Sequence, residues 1–100
     1  MMSNMKLKAK VANGVVEVKG MLKHEMLSYQ EADRKKVPTN FLTYIKATVG
    51  SEIVFEMSVS QFVSKDPFIK FNYLGASGDV IVVSSVDLLG NKDEEKVAVK

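Results

Sequence analysis

The 100-residue sequence has no cysteine and no tryptophan, and only one histidine and two prolines. Without cysteine there can be no disulfide, thiolate nucleophile or Cys-ligated metal. A lone histidine, His24, leaves a zinc or copper site without the several His or Cys ligands such sites recruit, so no metal and no cofactor is expected. No apolar run is long enough for a secretory signal or a membrane span, which argues against a membrane as partner. Charge of one sign is also scarce: 14 Lys and Arg against 12 Asp and Glu give +2. Nucleic acid is usually met by a concentrated basic face, and a surplus this slight does not argue for one. There is no internal repeat and no low-complexity stretch, so residues 1–100 are read as one domain.

The sequence does contain alternation. Hydrophobic residues make up 46% of the chain, enough for one core. Met5, Leu7, Ala9 and Val11 alternate with Lys6, Lys8 and Lys10, the period of a half-buried strand with its lysines in water. Asn13-Gly14 is a hairpin signal. Beyond it Val16, Val18, Gly20 and Leu22 share a face, and Gly20 marks a bulge or a close approach. Residues 25–38 are mostly polar and read as a long loop, with at most a helical turn over 28–34. Strand character resumes at Phe41, with Ile45, Ala47 and Val49 on its face. It continues after Gly50-Ser51 with Ile53, Phe55 and Met57 expected inward. Further strands are read over 68–74, 80–86 and 96–100, the 80–86 strand lying mid-sheet because it is the most apolar. Seven short strands with turns near every ten residues predict an all-β fold, an immunoglobulin-like antiparallel β-sandwich.

Catalytic signatures are missing. The serines have no nucleophile elbow, and Gly75-Ala76-Ser77-Gly78 lacks the lysine and the strand-to-helix setting of a phosphate loop. Asp93-Glu94-Glu95 reads as a solvated hairpin tip, not as an acid/base pair. Two segments suit contacts instead. Met21, Met26, Leu27 and Tyr29 surround His24 and either cap the sandwich end or face a partner, and Phe62 and Phe68 bracket a loop as core anchors. No catalytic residue is assigned, and the chain is read as a non-enzyme.

Five short motifs occur in one order: Lys23-His24-Glu25-Met26; Val37-Pro38-Thr39-Asn40-Phe41-Leu42 after a loop with Arg34; Val63-Ser64-Lys65-Asp66-Pro67-Phe68; Gly75-Ala76-Ser77-Gly78-Asp79; and Val86-Asp87-Leu88-Leu89-Gly90. Together they resemble the SoxZ family, the cysteine-free subunits of the SoxYZ sulfur carrier of bacterial thiosulfate oxidation. The resemblance implies an immunoglobulin-like fold and a SoxY-type partner that carries sulfur intermediates on a cysteine. It also implies transient docking to Sox enzymes, and a periplasmic location reached together with a signal-bearing partner. Carried over by position, the candidate partner-binding residues are His24, Met26, Arg34, Asn40, Phe41, Asp66, Pro67, Phe68 and Asp87. Asn40 stands where the family usually shows histidine. The alternatives are an immunoglobulin-like interaction module with an unrelated partner, and a small enzyme or metal-binding sandwich dependent on His24.

Overall fold

A computed structural model of the chain describes residues 5–24, 26–60 and 66–100. Glu25, Phe62 and Lys65, which the sequence motifs include, lie outside the described residues. The chain runs β1 (Met5–Ala12), β2 (Val15–Leu22), α1 (Tyr29–Lys35), β3 (Leu42–Val49), β4 (Glu52–Ser58), β5 (Phe68–Leu74), β6 (Val80–Asp87) and β7 (Lys92–Ala98). Two antiparallel sheets, β1-β2-β5 and β4-β3-β6-β7, form the expected all-β sandwich, with β6 inside its sheet.

Alternation decides which side chains meet between the sheets. Val16, Val18, Ile45, Ile81 and Val83 are sealed there, each at 1% exposure or less. Each such burial stabilises by roughly 1.5–3 kcal/mol. Phe55 and Phe71 stack across the sheets with centroids 4.4 Å apart. On the opposite side Val99 is buried, and Lys100 exchanges backbone hydrogen bonds with β1, donating to Ala9 and accepting from Val11. Asn13 and Gly14 both have positive φ, 53° and 77°, as a two-residue hairpin turn requires. At Gly20 a close approach is found and no bulge: a Cβ there would lie 2.7 Å from Leu7 Cδ2 and 3.3 Å from Ile69 Cγ1, its neighbours in register.

Three expectations need correction. The stretch 25–38 is not all loop. Ser28 Oγ accepts from the Glu31 N–H and its hydroxyl donates to Glu31 Oε1, a side-chain N-cap that starts α1. Lys36, in the left-handed region, ends it. On β4, Ile53 is 52% exposed. Ala47 pairs with Phe55 and Thr48 with Ile53, so Val54 is an extra residue. That bulge turns Ile53 outward while Val54, Phe55 and Met57 pack against the core. Finally, Asp93, Glu94 and Glu95 are no hairpin tip; they lie within β7, paired to Ser85, Ser84 and Val83. As an edge strand β7 tolerates such charges, which blunt pairing with other chains. Among the described residues no helix is long and apolar enough to cross a membrane.

Candidate functional site

All nine candidate residues lie at one end of the sandwich, where β2, β6 and the approach to β5 finish or begin and α1 sits. The chain there is fastened by reciprocal bonds. The His24 N–H donates to Asp66 Oδ1 (2.9 Å), and the Asp66 N–H donates back to the His24 carbonyl (2.9 Å). The Leu22 N–H reaches the Pro67 carbonyl at 2.9 Å, so the end of β2 and the segment before β5 form one clasp. Leu27 and Asn40 exchange backbone bonds, which ties the start of the α1 connection to its finish.

Asp87 is the hub. Its Oδ2 accepts from Asn40 Nδ2 (3.0 Å) and Asn91 Nδ2 (3.0 Å), with His24 Nε2 at 3.4 Å, and its Oδ1 accepts from the Asn91 N–H at 2.8 Å. Only 7% of the residue is exposed. Burial alone would push its carboxyl up; the hydrogen bonds from Asn40, Asn91 and His24 outweigh that and hold it below the usual carboxylate range. The Met26 N–H donates to His24 Nδ1 at 3.0 Å. That ring nitrogen is therefore the acceptor, which leaves Nε2 to carry the proton toward Asp87. Both ring nitrogens are thus engaged inside the fold. Asn40 Oδ1 is buried without a partner among the described residues. Turning the amide over would set its oxygen against the Asp87 carboxylate, so Asp87 fixes the amide's orientation.

The remaining candidates divide by exposure. Met26 is buried at 2%, in the left-handed region (φ 53°), and its Sδ accepts from the Leu42 N–H at 3.3 Å. Met26 and Leu27 therefore cap the core. Phe41 is buried at 8% and meets Tyr29 edge-on, with centroids 6.0 Å apart. Arg34 is exposed in the last turn of α1, and Phe68 is 61% exposed, so it is no core anchor.

Sequence reasoning missed Asn91 and the outward exposure of Val37, Leu88 and Leu89. The signal for the leucines was present: two of them precede Gly90 just where β6 stops alternating. Beside the hub a groove of about 650 Å³ is lined by His24, Lys46, Ser84, Asp87, Lys92 and Glu94, among others. Its charges are mixed. Among the described residues no group of three or more His, Cys, Asp or Glu could hold a metal ion. Among the described residues the arrangement is a hydrogen-bonded clasp beneath a surface.

The profile of the family described as Sulphur oxidation protein SoxZ matches residues 5–98. No curated protein sequence matches. Among solved structures, a superoxide reductase (neelaredoxin) from Ignicoccus hospitalis is similar at a TM-score of 0.64 and 12% identity, over 98% of this chain and 81% of that one. At that identity the likeness shows the fold alone.

Proposed function

The chain belongs to the SoxZ family, with a role in the Sox sulfur-oxidation system, and from that premise we propose that it is the non-catalytic subunit of a heterodimeric sulfur carrier. It pairs with a SoxY-type subunit whose cysteine holds the sulfur intermediates, and it helps present them to the enzymes of thiosulfate oxidation. Having no cysteine, this chain offers no thiol for a covalent adduct, so the cargo needs a second chain. On this reading the pair works in the periplasm, which this subunit enters with its signal-bearing partner.

One observation carries the proposal. The end that gathers the nine candidates also exposes Met21 (46%), Tyr29 (57%), Val37 (44%), Phe68 (61%), Leu88 (41%) and Leu89 (57%). Large apolar side chains grouped over a hydrogen-bonded, pre-organised base are what a lasting interface uses. The test is co-expression with a SoxY-type subunit and size-exclusion chromatography. Wild type should coelute with it at micromolar concentration. Phe68→Asp combined with Leu89→Asp should separate the two while leaving the isolated chain folded, since both side chains stand outside the core. Separate elution of the wild-type chains would end this reading.

A further inference from the structure

Antiparallel pairing gathers on one face lysines that the sequence scatters from Lys6 to Lys70. On the outer side of the β1-β2-β5 sheet, Lys8 stands opposite Lys19, and Lys19 opposite Lys70, a row of three across all three strands. Lys6 and Lys10 flank the row on β1. The carboxylate on this face is Glu17, whose oxygens lie 3.5 Å from Lys19 Nζ, 3.6 Å from Lys70 Nζ and 4.0 Å from Lys10 Nζ. Desolvation pushes the Glu17 carboxyl up, but Lys70, Lys19 and Lys10 outweigh it and hold it below the usual range. Among the described residues no carboxylate forms an ion pair with Lys6 or Lys8. Five lysines against one glutamate leave a surplus of four on a face of a chain whose net charge is +2, so the rest of the molecule is net negative. The basic surface also continues around β1, where a groove of about 590 Å³ has Lys8, Lys10 and Lys19 along one side and Lys96 and Lys100 along the other.

Edge protection accounts for lysines on β1 and β5, which are edge strands, but not for Lys19 on the central strand. Like charges directly opposite one another across a sheet destabilise it. Glu17 offsets that cost for Lys19 and Lys70 but leaves Lys6 and Lys8 without a carboxylate among the described residues, and four surplus lysines on one face point to a use outside the fold. We propose that this lysine face is a docking surface for the acidic face of a partner protein, drawn in by charge and held briefly. The inference deepens the carrier reading and rests on it in one respect, that a carrier needs short-lived visitors.

Its dimensions favour such a visitor. Seven residues of strand by three strands has a backbone footprint of only roughly 20 by 10 Å, which suits the small end of the range of interface sizes, where transient encounters lie. The exposed apolar pair Val15 with Leu74 closes the patch at one end, and at the other it runs up to the pair Met21 with Phe68 at the border of the proposed pairing surface. A protein surface can cover those pairs, whereas a nucleic-acid backbone would set phosphates against them. The face also holds no arginine, the side chain suited to gripping phosphate with two hydrogen bonds; Arg34 lies on α1.

Two triple variants test this with the full-length chain. Lys8→Gln/Lys19→Gln/Lys70→Gln neutralises the row, and Lys23→Gln/Lys35→Gln/Lys36→Gln removes the same charge elsewhere; each takes the net charge from +2 to −1. The probe is fluorescein-labelled poly-L-glutamate, read by anisotropy at several salt concentrations. The row variant should bind about tenfold more weakly, with a flatter salt dependence, and the control variant within about threefold of wild type. The row variant should melt close to wild type, because it loses a like-charge row together with two exposed ion pairs to Glu17, which largely offset each other. Equal weakening in both variants would mean that net charge alone is sensed and would overturn the proposal. Tighter wild-type binding to a DNA duplex or to anionic lipid vesicles than to poly-L-glutamate would overturn it too. Coelution with the SoxY-type subunit is read on the same samples. If the row variant keeps the subunit but loses poly-L-glutamate, docking is supported; if it loses the subunit, the face is the pairing surface and the docking proposal falls.

Discussion

Asp87 shows how one side chain organises an end of the fold. Four donors converge on its carboxylate, from Asn40, Asn91 and His24, and each comes from a different part of the backbone or side chain. Replacing it by asparagine keeps the shape but sets an amide N–H against those donors, which should cost about 1–3 kcal/mol near neutral pH. The pH dependence has a definite sign. The folded carboxyl titrates below its ordinary 3.8, so the unfolded chain takes up the proton first and stability rises with pH through that region. The contribution is complete above the unfolded value and is lost as pH falls through the folded one. The urea midpoints of wild type and Asp87→Asn should therefore begin to converge as pH falls below the ordinary 3.8 and meet only below the lowered folded value. A gap that stayed constant down to acid pH would show that the carboxylate charge is not what matters. None of this hub was legible from local spacing: His24 and Asp87 are 63 positions apart, and only the order of motifs in the family resemblance placed them in one set.

At the level of elements, strands were readable and the helix was not. Strict alternation in β1, β2 and β3 places Met5, Ala9, Val16, Val18, Ile45 and Ala47 inward, and all are buried. Alternation fails at β4 because one bulge residue shifts every side chain beyond it to the other face, and a period-two pattern cannot show where pairing slips. The seven residues of α1 span fewer than two full turns, too few to establish a 3.6-residue period. Its readable signal was the cap, Ser28 followed three residues later by Glu31. Ser28→Ala should lower the stability of the isolated chain by about 1 kcal/mol. Because α1 carries Tyr29 and precedes Val37, the same change should also weaken coelution with the SoxY-type subunit. A melting temperature equal to that of wild type would mean that Tyr29–Phe41 packing, not the cap, fixes the helix.

For the molecule as a whole, the two sheets are joined unevenly. On one side aromatic stacking of Phe55 on Phe71 spans the gap, whereas on the other the backbone of residues 99–100 bonds to β1 and to the β5–β6 turn. Val99 donates to the Asp79 carbonyl at 2.9 Å, accepts from Gly78 at 3.1 Å and places its side chain in the core. Val99→Ala should accordingly cost about 2 kcal/mol. The loss should appear as a lower urea midpoint with an unchanged slope, since the transition would still expose the same surface. A shallower slope would mean that one sheet opens before the other. Charge at this scale escaped the sequence as well: +2 overall conceals a basic face and an acidic remainder, and only strand register brings the lysines together.

The Asn13-Gly14 hairpin lies at the far pole of a molecule 49 Å long, away from His24 and its neighbours; the Gly14 carbonyl accepts from the Gly75 N–H, but a Cβ at Gly14 would meet nothing within 4 Å. An inserted tag or dye at that tip would ride on a tight two-residue reversal without reaching the clasped end. It gives a place to tether the protein to a surface or to attach a reporter, so that every arrival at the opposite pole is watched on an otherwise unaltered chain.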